Sequence, residues 1–109
     1  VRLLQIDSRI TYGAQIHADD MSRLGFFEHD SPVPGRGSFW ERCAEGGYSR
    51  SIGENIHQGY SAGISSVMGW ISSPGHHSNM LHPGHGTIGP GVSPGYSVQV
   101  FGAPPRSKR

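Results

Sequence analysis

The chain has 109 residues and a net charge of +1, a length that suits one domain and leaves no room for a second. Seventeen glycines and eight prolines are together about twice the roughly 12% of average usage, which excludes a long helical bundle or coiled coil. With 34% apolar residues the core is expected to be small and rich in aromatics; no apolar run approaches the roughly 20 residues of a membrane span, and no lysine/arginine cluster marks a nucleic-acid face.

Residues 2–24 place Leu3, Ile6, Ile10, Ala14, His17, Met21 and Leu24 at spacings of three or four, which predicts an amphipathic helix closed by Gly25. Gly13 is its weak point, and His17 falls on the apolar face as a packed core histidine. Residues 26–53 read as loop, with a short helical turn at 39–44. Cys43 is the only cysteine, so no intrachain disulfide forms, and its expected role is that of a small buried apolar side chain.

Residues 61–72 carry Ile64, Val67, Met68 and Ile71 at helical spacing. Ser73 and Pro74 then supply an N-cap and a first-turn proline for a second helix that stops before Pro83. At the C-terminal side, 86–92 and 96–102 alternate as two strands joined by a hairpin around Pro94. Residues 104–109 form a basic tail. Charge is unevenly spread: all eight acids and six of the nine cations lie in residues 1–54, and the other three cations stand in the tail. Between them His57, His76, His77, His82 and His85 are the titratable groups apart from tyrosines, so this half turns cationic below about pH 6.

Three segments combine histidine or glutamate with turn residues: FFEHDSP (26–32), GENIHQG (53–59) and SPGHHSNML (73–81). No H-E-x-x-H, C-x-x-C or phosphate-binding glycine loop is present, so the corresponding metalloprotease, zinc-ribbon and nucleotide-binding chemistries lack support.

Taken in order, these segments resemble the bacterial branch of the CAP superfamily, which contains the cysteine-rich secretory proteins, antigen 5 and plant pathogenesis-related proteins. The likeness runs from His17-Ala18-Asp19-Asp20-Met21 through Phe27-Glu28-His29, Gly53-Glu54-Asn55-Ile56, Trp70-Ile71-Ser72-Ser73-Pro74-Gly75-His76, Asn79-Met80-Leu81 and Ile88-Gly89 to Tyr96-Ser97-Val98-Gln99-Val100-Phe101-Gly102. It implies an α+β fold, a three-layer α-β-α sandwich with a small antiparallel sheet over residues 1–103. It also implies a secreted or envelope location, periplasmic or extracellular.

The resemblance further implies a cleft built from His29, Glu54, Ser73 and His76. In it, His29 and His76 would be ligands of a divalent metal such as zinc, with open coordination positions. His76 would stand in the first turn of its helix, where the dipole disfavours imidazolium and keeps a lone pair available. Two departures from the family pattern matter. Ser73 stands where many members carry a second glutamate, and the opening N-x-x-R helix is missing, so the sequence is expected to begin inside it.

Three functions compete. A non-catalytic module would bind a metal and a small ligand or cell-envelope component. A metal-dependent hydrolase or protease would use Glu54 as general base. A lipid- or sterol-binding protein would offer an apolar groove. The missing carboxylate favours binding over catalysis, the capping role expected of Ser73 already occupies its hydroxyl, and the low apolar content disfavours lipid.

Overall fold

The computed structural model describes residues 5–59 and 86–103. The elements in chain order are β1 (Gln5–Ile6), α1 (Ser8–Leu24), α2 (Phe39–Glu45), β2 (Ser51–Gln58), β3 (Thr87–Ser93) and β4 (Tyr96–Gly102). The strands form one sheet in the order β1-β3-β4-β2, with β1 parallel to β3 and the other pairs antiparallel. Helix α1 lies on this sheet against β3 and β4, and α2 packs beside α1. The fold is α+β, as expected. The helices expected over 61–82 and the tail at 104–109 lie outside the described residues.

Helix α1 starts six residues later than its apolar spacing predicts. Asp7 is its N-cap, accepting the Arg9 backbone N–H at 2.9 Å, which satisfies one of the free donors of the first turn. Ile6 is therefore not helical. It pairs with Ile88 in the sheet and is 75% exposed. From Ile10 onward the expected stripe holds: Ile10, Ala14, His17, Ala18 and Met21 are fully buried. Leu24, at the rim, stays exposed. Gly25 closes the helix in the left-handed region at φ 72°, its N–H donating to the Met21 carbonyl, a backbone conformation that favours glycine.

Gly13 is a point of contact rather than a weakness. A Cβ there would stand 2.7 Å from Cys43 Sγ, so the absent side chain lets α2 approach α1. Cys43 itself is fully buried, and burial pushes its thiol up to about 11. It is a packing residue, since the nucleophilic thiolate is scarce at neutral pH.

Strand β2 was not expected, because Gly-Glu-Asn and His-Gln are poor strand formers. Pairing makes it a strand: residues 51–58 run antiparallel to β4, with Glu54 opposite Val100 and Ile56 opposite Val98. Alternation then turns Glu54, Ile56, Val98 and Val100 toward α1, and the last three join the core cluster. The opposite face of β4, with Ser97, Gln99 and Phe101, is also buried, as in a sheet covered on both sides. The predicted hairpin is present. Pro94 and Gly95 (φ 82°) link the paired residues Ser93 and Tyr96, with proline first and a positive-φ glycine second, the order a type II turn requires.

Candidate functional site

The three elements that follow α1 meet at one end of the sheet. His29 comes from the segment just after α1, Glu54 from β2 and Arg42 from α2. The His29 Nδ1–H donates to Glu54 Oε1 at 2.8 Å. The other carboxylate oxygen, Oε2, accepts from Arg42 Nη2 at 2.7 Å. The Arg42 and Glu54 side chains are 0% and 1% exposed, whereas that of His29 is 57% exposed. A buried ion pair thus forms the floor, and the imidazole reaches from it toward solvent.

Arg42 is fixed on its other side as well. Nη1 donates to the carbonyls of Arg36 at 2.9 Å and Gly37 at 3.1 Å, while Nε has no partner among the described residues. Arg36 in turn pairs with Asp20 of α1 at 3.2 Å and with Glu45 of α2 at 3.3 Å. The loop at 36–37 is thereby tied to both helices. Helix α2 begins with a complete capping box: Ser38 accepts the Glu41 N–H, and Glu41 Oε1 accepts the Ser38 N–H. This arrangement satisfies two first-turn donors and sets where the next residues, Phe39 and Trp40, project.

His29, Asp30, Ser38, Phe39, Trp40 and Glu54 line a cleft of about 250 Å³. Two of the four residues assigned to the cleft from the sequence, His29 and Glu54, are in direct contact there. Ser73 and His76 lie outside the described residues. Two charged residues with a part in the site escaped the sequence reading, Arg42 and Asp20. Each left a signal. Arg42 is three residues after Phe39 and adjacent to Cys43, and Asp20 is three after His17 and adjacent to Met21, so both fall on the buried faces of their helices.

His17 is buried as expected, and its Nε2–H donates to the Glu28 carbonyl at 2.8 Å. Burial, then the nearby Arg42 cation, hold its pKa below the usual histidine value. His29 shifts the other way, raised first by its hydrogen bond to Glu54 against some desolvation. In metal-free protein, a proton NMR titration is expected to place the His29 midpoint above about 6.5 and that of His17 below it. The linkage signs differ accordingly. His29 contributes stability that is complete below about pH 6.5 and fades as pH rises through its folded pKa, whereas the His17 contribution is lost as pH falls below about 6.5. A His29 midpoint that does not drop in Glu54→Gln would contradict the role given to the carboxylate.

An α+β sheet with a buried-carboxylate, exposed-histidine cleft at one end defines a class, and sequence comparison agrees with it. The family model described as "Cysteine-rich secretory protein family" (CAP) matches residues 1–102, and the chain belongs to that family. It is 35% identical over 89 residues to YkwD of Bacillus subtilis, covering 81% of this chain and 34% of that protein. It is also 35% identical over 86 residues to the B. subtilis membrane protein YlbC, covering 78% of this chain and 24% of that one. Among solved structures, it matches an extracellular protein containing an SCP domain from Bacillus anthracis, with TM-score 0.87 and 32% identity over 94% of this chain and 34% of that one. An outer surface protein of Borrelia burgdorferi shares the fold at TM-score 0.74 and 15% identity, covering 96% of this chain and 80% of that one. The chain spans about a third or less of the length of the Bacillus proteins it matches. No described helix is long and apolar enough to cross a membrane.

Proposed function

We propose that this domain is a non-catalytic binding module of the cell exterior or envelope, whose cleft captures a divalent metal, zinc in the first instance, together with a small ligand or envelope component. One observation carries the reading: both oxygens of Glu54 are already engaged, one by His29 and one by buried Arg42. A general base needs a lone pair directed at an accessible water, and the Glu54 side chain, 1% exposed beneath these two partners, is poorly placed to meet one. Glu54 is instead placed as a positioning group.

The same bond supports the metal. With Nδ1–H donated to a carboxylate, the neutral ring keeps its Nε2 lone pair, and such carboxylate–histidine pairs orient metal-ligating imidazoles. His29 and His76 would hold the ion, which when bound would offer open positions to a donor atom of a ligand. The groups described here include no set of three metal-ligating side chains, and the two-histidine site depends on His76.

Calorimetric zinc titration of metal-stripped protein tests this. His29→Ala and His76→Ala are each expected to abolish the tight component, and Glu54→Gln to weaken it by about 10- to 100-fold. His82→Ala is expected to leave it unchanged. Affinity should fall as pH drops through the histidine range, because protons compete for the same lone pairs. Casein and simple esters should show no zinc-dependent turnover. Hydrolysis that vanishes in Glu54→Gln while fold and metal persist would replace the binding module with an enzyme.

A further inference from the structure

Trp40 is 59% exposed at the mouth of the cleft. It is not a loose surface side chain. Its ring meets Phe39 edge-on, with centroids 5.1 Å apart at 82°, and Phe39 packs against the hydrophobic core. The capping box holds the turn that carries both. The indole is therefore braced in one orientation without a described partner for its open face, and such a wide, rigid ring is an effective contact surface.

The groups around it restrict what could cover that face. Glu54 is cancelled by Arg42, and the exposed carboxylate of Asp30 lines the cleft together with His29. Asp30 is thus an exposed acceptor beside the aromatic ring, which suits hydroxyl donors. An acyl chain or sterol would strip water from Asp30 and His29 without replacing their hydrogen bonds. A volume of about 250 Å³ lies below the roughly 300 Å³ at which pockets for drug-sized ligands begin, so the cleft suits a single ring. These groups fit a neutral ring with one apolar face and a hydrogen-bonding edge.

We infer that the cleft binds a hexopyranose unit of a neutral glycan, its C–H face stacked on Trp40 and its hydroxyls bonded to Asp30. This rests on the binding reading of the cleft and names the class of its ligand. Asp30 accepts from the sugar hydroxyls, while His29 Nε2, the nitrogen not used by Glu54, stays with the metal of the proposed function.

Saturation-transfer NMR with the β-1,4-linked N-acetylglucosamine tetramer, and with the glucose tetramer as a second probe, tests the assignment on the full 109-residue chain. Saturation should be strongest on ring C–H protons of at least one tetramer. Trp40→Ala should weaken binding by about tenfold or more, Trp40→Phe should retain part of it, and Asp30→Asn should weaken it without abolishing stacking. Because Trp40 and Asp30 are exposed, these variants are expected to fold, and Trp40→Ala should titrate zinc as the parent does. Equal binding by parent and Trp40→Ala, or no binding of either tetramer, would overturn the inference. So would Trp40-dependent binding to phosphatidylcholine vesicles without binding of either tetramer. Loss of glycan binding in a parent that still takes zinc sinks this inference alone, whereas glycan binding without any zinc uptake removes the metal from the proposed function.

Discussion

Replacing Arg42 by methionine is expected to lower the unfolding free energy by about 3–5 kcal/mol, because Glu54 would be left as a buried carboxylate without its cationic partner. The guanidinium is fully buried and also holds the Arg36 and Gly37 carbonyls, so three acceptors lose a donor at once. Domains of this size are stable by about 5–15 kcal/mol in total, so the loss removes a large share. Urea denaturation at neutral pH reads it directly. The double variant Arg42→Met/Glu54→Gln should recover part of the loss, since the stranded charge is gone, and the coupling between the sites should be about 1–3 kcal/mol. A single variant as stable as the parent would mean that the pair contributes nothing to holding Glu54 in place.

Gly91→Ala should also be destabilising. A Cβ at Gly91 would lie 2.4 Å from the Ala14 carbonyl carbon and the Gln15 nitrogen, and one at Gly89 would lie 2.3 Å from the Thr11 nitrogen. These neighbours are helix backbone and cannot swing aside, so α1 must move off β3. Overpacking of this kind costs about 1–3 kcal/mol and sometimes more, with the Gly89→Ala/Gly91→Ala pair expected to exceed either alone. Val92→Ala, at a half-exposed side chain on the same strand, should stay within about 0.5 kcal/mol. Thermal melts of the four proteins separate close backbone approach from a general sensitivity of β3.

Much of this was visible in the residues and some was hidden for identifiable reasons. The stripe from Ile10 to Met21, the glycine stop at 25 and the alternation of 96–102 are local patterns, and each formed where its period placed it. The start of α1 was misplaced because Leu3 and Ile6 continue the helical spacing by chance, while the capping carboxylate of Asp7 and the pairing of Ile6 with Ile88 decide the boundary. Strand β2 was hidden because its order comes from β4, a partner some 44 residues away in the Asn55–Gln99 pair. Of the site, the resemblance supplied His29 and Glu54. Arg42 was missed because nothing local distinguishes a buried guanidinium from a surface one until its carboxylate partner is known.

The docking of α1 on β3 also dictates the order in which the chain can become a protein. The helix finds its largest interface with a strand that begins some 63 residues beyond its own end, and β1 waits for the same strand. During synthesis at about 5–20 residues per second, the stripe of Ile10, Ala14 and Met21 is complete seconds before β3 and β4 exist to cover it. Contacts this distant in sequence also close slowly, because loop-closure entropy is lost before they form. A nascent chain of this kind cannot close its sheet over α1 until β3 and β4 are made. Its native state is a late event, set by the arrival of residues 87–102.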